Sequence, residues 1–194
     1  MSIVASTEVP DRWMSRAEYY AWAEGRAGRF ERLDGRVVAM GPERVRHTRI
    51  KGLVFRALAA AVEAAGLPCE VLIDGPTIEV GESDYEPDVI MRRGTEPLSG
   101  EGFAVPDARV LVEVLLPTTR RIDVSRKQAD YFQLPSVQHY LIVFSDRVRA
   151  IHHRRAGDRI ETRILAEGDV VLEPPGISVP LAKFYPGDEA GRSA

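Results

Sequence analysis

One cysteine, Cys69, occurs in 194 residues. A lone thiol excludes an internal disulfide framework and a cysteine-based zinc cluster. No stretch approaches the roughly 18 consecutive apolar residues of a membrane span, so no membrane association is expected. The opening residues, MSIVASTEVPDRW, lack the basic start and long apolar run of a secretory leader, which makes the cytoplasm the expected location. Excess positive charge is missing too. The net charge is −3, so any contact with phosphate must come from local patches. Lysine is scarcest among the charged types: Lys51, Lys127 and Lys183 are the only ones among 26 basic residues, leaving 23 arginines. A position that needs only positive charge could have been arginine here, so each lysine draws attention.

What remains is ordinary globular composition, 44% hydrophobic and 28% charged. The length suits one domain with a real core. We expect a loose lead-in over residues 1–12, a single domain over 13–185 and a C-terminal tail over 186–194.

Local signals order the chain. Ser15 followed by Glu18 fits a capping box, so a helix is expected from Ser15 to about Glu24, with Trp13, Tyr19 and Trp22 on its apolar side. Asp34-Gly35 between two strand-like runs predicts a two-residue hairpin. Ile50, Leu53, Val54, Ala57, Leu58, Ala61, Val62 and Ala65 keep helical spacing, which predicts a helix from about 43 to 65, ended by Gly66 and Pro68. Strands follow at 69–73, 77–80 and 88–91, with Asp74-Gly75 read as a second hairpin turn and 92–108 as a surface loop. Arg109–Leu116 is the most apolar strand and should be central. A helix at 123–133 and a strand at 139–144 imply a crossover and parallel pairing. Runs at 147–152 and 159–165 predict another hairpin with Gly157-Asp158 at its bend, and the last part holds a short strand and a short packed segment. The fold class is α/β (α+β), with one mixed sheet and two long helices.

Glu113 is the sharpest anomaly. It shares a strand face with Leu111 and Leu115, while the opposite face is valine. A buried carboxylate must be protonated, paired with a cation or bound to metal. An arginine salt bridge is the structural reading. Asp88 repeats the pattern at the mouth of the strand Pro87-Asp88-Val89-Ile90-Met91, where a strand-entry turn is the plain alternative. Two such acids on neighbouring strands call for a cation between them, and hard ions such as Mg²⁺ take carboxylate oxygens. Glu31 lies opposite Val38 in the first hairpin and is either a third member or a solvated edge residue.

Lys127 shares a helical stripe with Asp123, Tyr131 and Leu134. It is either half of a surface pair with Asp123 or a compact ammonium at a reacting phosphate, a role a planar guanidinium does not reproduce. His47 can point along the buried face of the long helix, as a ligand or as a hydrogen-bonding residue. His152-His153 with Arg154-Arg155 reads as a solvated hairpin tip. The clusters Arg44/Arg46/Arg49, Arg92/Arg93 and Arg120/Arg121 either track a phosphate backbone or are plain surface.

The ordered set Phe30-Glu31-Arg32-Leu33-Asp34-Gly35, Gly41-Pro42 with His47, Tyr85-Glu86-Pro87-Asp88-Val89, Leu111-Val112-Glu113-Val114-Leu115 with Pro117-Thr118-Thr119, then Asp123, Lys127 and Tyr131, resembles the Uma-type putative restriction endonuclease family of the PD-(D/E)XK nuclease superfamily. The likeness runs from about residue 13 to Tyr185. It implies a restriction-endonuclease-like mixed sheet flanked by helices, with Pro87-Asp88 as the "PD" element and Glu113 as the second acid. The lysine usual two residues after that acid is Leu115 here, and Lys127 from the next helix would take its place. Leu116 stands where the family has a serine before the proline.

The resemblance implies a metal-dependent endonuclease, a hydrolase acting on phosphodiester bonds of nucleic acid, with DNA as the partner. Asp88, Glu113 and the Val114 carbonyl would hold one Mg²⁺ or Mn²⁺, which polarises the phosphate and activates a water. Lys127 would orient that water or stabilise developing charge, with Glu31 and His47 in support. Cutting both strands implies a homodimer. A non-catalytic nucleic-acid-binding or assembly module on the same fold is the alternative, and an ordinary α/β protein with buried salt bridges is a third reading.

Overall fold

In the computed structural model the described residues are 9–94, 96, 98–100, 102–115 and 121–187, with the side chains of 121–123 outside that set. Pro117-Thr118-Thr119, Arg120 and the side chains of Arg121 and Asp123 therefore lie outside it. The elements run α1 (Arg16–Ala23), β1 (Phe30–Leu33), β2 (Arg36–Ala39), α2 (Val45–Ala64), β3 (Cys69–Ile73), β4 (Ile78–Val80), β5 (Ser83–Tyr85), β6 (Val89–Arg93), β7 (Ala108–Leu115), α3 (Arg121–Tyr131), β8 (His139–Phe144), β9 (Ala150–Ala156), β10 (Arg159–Leu165), β11 (Asp169–Leu172), β12 (Ile177–Pro180) and a 3-10 turn at Leu181–Phe184.

The helix starts and turns follow local chemistry. Ser15 caps α1, and its side chain and that of Glu18 satisfy each other's backbone N–H groups. Asp34 and Gly35 both have positive φ, 49° and 76°, as a type I′ turn requires. Gly35 has a second reason to be glycine, because a Cβ there would lie 2.0 Å from the indole nitrogen of Trp13. That turn fixes the register of β1 and β2 and puts Glu31 opposite Val38.

A six-stranded mixed sheet, in the order β10-β9-β8-β7-β6-β3, forms the centre. Its β7 and β8 run parallel, with Glu113 beside Ile142, as the strand–helix–strand order predicts. The valine face of β7 (Val110, Val112, Val114) packs with Ile50, Val54, Leu58 and Val62 of α2. Each such fully buried side chain contributes about 1.5–3 kcal/mol. The other face, with Leu111, joins Ile90, Tyr131, Tyr140 and Ile142 in a second core.

The architecture differs from the expected single sheet. A four-stranded sheet, β2-β1-β5-β4, and a two-stranded ribbon, β11-β12, stand beside the central one. The strands β5 and β11 span three and four residues, too few for an alternation pattern to register. Asp74-Gly75 has the positive φ angles of a hairpin turn, 54° and 80°, yet it joins no hairpin. Strand β3 pairs with β6 while β4 pairs with β5, so the turn hands the chain from one sheet to the other. Local turn chemistry sets the change of direction but not the pairing partner. His152 and His153 are also not a solvated tip. Both are buried within β9, bonded to His139 and to Thr162, and the bend falls at Gly157-Asp158 as expected.

Candidate active site

The antiparallel register Val89↔Val112 between β6 and β7, continued by one residue, sets Asp88 opposite Glu113. Both are buried. One carboxylate oxygen of Asp88, Oδ2, accepts the Val114 N–H at 2.6 Å and faces His47 Nε2 at 3.2 Å. The first strand acid is thus anchored to the backbone of the strand carrying the second.

Glu113 is held from α3. Lys127 Nζ lies 2.9 Å from Glu113 Oε1, and the Tyr131 hydroxyl donates to the same oxygen at 2.9 Å. Lys127 and Tyr131 are one helical turn apart, so they reach the same point. The ammonium also contacts Glu31 Oε1 at 2.8 Å, and that oxygen accepts the Glu86 N–H at 3.0 Å. Lys127 is buried rather than part of an exposed helical pair. It ties β1, β7 and α3 together through two carboxylates that are 82 residues apart in sequence, 31 and 113.

A second cluster adjoins Asp88. Lys51, on α2 one turn after His47, is fully buried. Its Nζ contacts Glu43 at 2.6 Å, Asp74 at 2.7 Å and Asp88 Oδ1 at 3.1 Å. Arg29 pairs with Glu43 and lies 3.2 Å from both Asp74 and Glu86. Around this centre six carboxylates (Glu31, Glu43, Asp74, Glu86, Asp88, Glu113) face three permanent cations (Arg29, Lys51, Lys127) and His47.

That imbalance appears in the proton affinities. Burial pushes Glu113 up, the charges of Asp88 and Glu31 add to it, and Lys127 opposes; the outcome is a carboxyl that titrates at about 7. Burial also pushes Asp88 up, but His47, the Val114 N–H and Lys51 outweigh it and hold the carboxyl below the usual carboxylate range. Burial lifts Glu86 as well, against the pull of Arg29. Burial disfavours the Lys127 ammonium, yet Glu113 and Glu31 keep it well above the ordinary lysine value. Two opposed acids with divergent affinities are the pattern by which a site divides acid and base roles.

The residues fit a divalent cation. The donors are carboxylates, which hard ions prefer. Ligand atoms of Glu43, His47 and Asp88 also lie within 4.8 Å of one another, but there Lys51 Nζ already meets Glu43 and Asp88. His47 Nδ1 is buried without a hydrogen-bond partner. A cation between Asp88 and Glu113 would relieve the repulsion that raises Glu113.

The sequence-derived residues Asp88, Glu113, Lys127, Glu31 and His47 all converge here. The permanent cations that meet Asp88 and Glu113 are Lys51 and Lys127, not the arginines of the salt-bridge reading. Lys51, Glu43, Asp74 and Arg29 were not anticipated; lysine scarcity was the one signal for Lys51, and nothing local marked the others. Arg92 does not face outward. It is buried against Glu70 at 2.7 Å. Arg44, at the N-cap of α2, and Arg49, on α2, are exposed. Among the described residues, no helix is long and apolar enough to cross a membrane.

Comparison with known proteins gives these residues a family. Two uncharacterized proteins of Synechocystis sp. are similar along most of their length. One is 26% identical over 205 residues, covering 95% of this chain and 98% of the relative. The other is 24% identical over 163 residues, covering 82% and 88%. Among solved structures, a putative nuclease belonging to DUF820 from Anabaena variabilis superposes with a TM-score of 0.70 at 13% identity. That match spans 88% of this chain and 97% of the other, and establishes a shared fold. The model of the Uma2 family, described as putative restriction endonuclease, matches residues 16–182, and the chain belongs to that family.

Proposed function

We propose that the chain is a metal-dependent endonuclease that hydrolyses phosphodiester bonds of nucleic acid, with DNA as its substrate. The observation that carries this reading is the Lys127 ammonium bridging Glu31 and Glu113, with Asp88 opposite Glu113 in the strand register. Asp88, Glu113 and the Val114 carbonyl would hold Mg²⁺ or Mn²⁺. Such an ion supplies Lewis-acid polarisation of the scissile phosphate and lowers the pKa of the attacking water.

The chain's own groups do the rest. The Val114 N–H and His47 fix Asp88 through its Oδ2. Tyr131 fixes Glu113 through its Oε1. Glu31, itself held by the Glu86 N–H, keeps Lys127 charged and aimed at Glu113. When a phosphodiester enters, Lys127 Nζ can turn a proton toward a phosphate oxygen or hold the attacking water, stabilising charge that develops during reaction. Glu113, titrating at about 7, would release its proton to solvent when its carboxylate takes a cation. A duplex cut on both strands needs two such centres, so the reading includes a homodimer.

The test is cleavage of single- and double-stranded DNA in Mg²⁺ or Mn²⁺ by wild type and Glu113→Gln. Wild-type cleavage that EDTA stops and the substitution abolishes is the expected result. Cleavage that persists in Glu113→Gln would remove the site assignment. A non-catalytic nucleic-acid-binding or assembly module is the second reading, favoured by the fact that two lysines already engage the buried acids. DNA binding without any metal-dependent cleavage would support it.

A further inference from the structure

We propose that Lys51 is a built-in counter-ion that fills a three-carboxylate cradle in place of a second divalent cation, so that the centre runs on one metal ion. This rests on the metal-dependent reading above and concerns how many ions that centre takes.

The cradle is assembled from three separate places in the chain. Glu43 precedes α2, Asp74 follows β3, and Asp88 enters β6. Their oxygens meet the Lys51 Nζ at 2.6, 2.7 and 3.1 Å. The ammonium donates to Glu43 and Asp74 and pairs with Asp88 Oδ1 as an ion pair, so three carboxylates surround its one charge. The side chain is 1% exposed, which rules out reading these contacts as a solvated surface pair. Burial pulls the ammonium's proton affinity down, but the three carboxylates outweigh it and hold it above the ordinary lysine value. The cation is therefore permanent at neutral pH.

Without that ammonium the same oxygens would form a ligand set. The buried Asp88, the partly buried Glu43 and the exposed Asp74 would repel one another without a cation among them. His47 adds an imidazole whose Nε2 lies 3.2 Å from Asp88, and ligand atoms of Glu43, His47 and Asp88 fall within 4.8 Å of one another. Carboxylate oxygens with one imidazole suit a divalent ion such as Mn²⁺. The residue type fits the role as well. Three oxygens converging on a point match a compact ammonium, whereas a planar guanidinium would spread its donors. Lys51 is one of only three lysines in a chain that otherwise uses arginine.

A metal ion entering the cradle would meet this fixed charge at shared oxygens, so wild type should admit none there. An ion between Asp88 and Glu113 is compatible, because Lys51 takes Asp88 Oδ1 and leaves the Oδ2 side to β7.

The experiment counts Mn²⁺ ions per chain by titration calorimetry and by the paramagnetic resonance signal of unbound Mn²⁺. It uses wild type, Lys51→Met, Lys51→Arg and the double variant Lys51→Met/Asp74→Asn. Lys51→Met should bind one more ion than wild type, and Lys51→Arg no more than wild type. The double variant should bind the extra ion at least tenfold more weakly. Equal ion counts in wild type and Lys51→Met overturn the proposal. If Lys51→Met is unfolded in EDTA, folding on addition of Mn²⁺ supports the proposal, and failure of Mn²⁺ to restore the fold overturns it. The readout is a difference between variants, so it separates from the metal-dependent reading. A wild type that binds no ion would refute that reading, while a gain of one ion in Lys51→Met would still establish the counter-ion.

Discussion

Glu113 is where stability and function pull apart, and Glu113→Gln exposes the cost. In the unfolded chain this carboxyl titrates near its ordinary value of 4.5; in the fold, burial and the neighbouring acids raise it to about 7. A group whose folded value is raised contributes stability that is fully present below the unfolded value. That stability is lost as pH climbs through the folded one. Between pH 4.5 and 7 the metal-free protein should therefore lose about 3 kcal/mol through this residue, at about 1.4 kcal/mol for each pKa unit. Glutamine is neutral throughout, and its carbonyl can still accept from Lys127 and Tyr131. Urea unfolding of both proteins in EDTA from pH 5 to 8 gives the measurement. The variant should gain on wild type as pH rises, and the difference should level off above about pH 7.5. Every other titrating group is common to both proteins and largely cancels in that difference. Parallel curves would refute the reasoning, because they would mean that Glu113 is ionised in the fold at no cost.

Three more outcomes follow from the same contacts. Lys127→Met should cost about 3–5 kcal/mol in urea unfolding in EDTA at pH 8, because Glu31 and Glu113 lose their shared cation; it should also lower DNA cleavage at least about 100-fold in single-turnover assays. Arg32→Ala strips the buried Asp84 of its buried partner between β1 and β5 and leaves it with the partly exposed Arg16. It should cost about 1.5–3 kcal/mol, the worth of one charge-assisted hydrogen bond, while leaving the count of bound Mn²⁺ unchanged, since Asp84 belongs to the smaller sheet. Burial lowers His139 and His152 to about 4. Stability from these neutral rings is present above pH 6.5 and falls away toward pH 4, so His152→Gln should flatten the acid side of a urea-unfolding series run over that interval.

The sheet and the centre were legible to different depths, and the difference has a physical cause. An acid in an apolar strand announces itself locally, because alternation decides which face it occupies; Glu113 and Asp88 needed no partner to be noticed. The Asp34-Gly35 turn likewise fixed Glu31 opposite Val38 from two residues of backbone chemistry. Lys127 was marked by its rarity and by sharing a helical stripe with Tyr131. Convergence is a different kind of fact. Lys51 sits at the edge of an α2 face that reads as apolar through Ile50, Val54 and Leu58. Its partners Glu43, Asp74 and Asp88 meet only because β3 pairs with β6 while the chain leaves at Asp74 for the other sheet. The turn whose sequence predicts a hairpin is thus the one that delivers an acid to the centre. Sending β4 to the second sheet brings Asp74 against a buried ammonium. The positive φ at Asp74 and Gly75 therefore shapes the candidate centre as much as it shapes the fold.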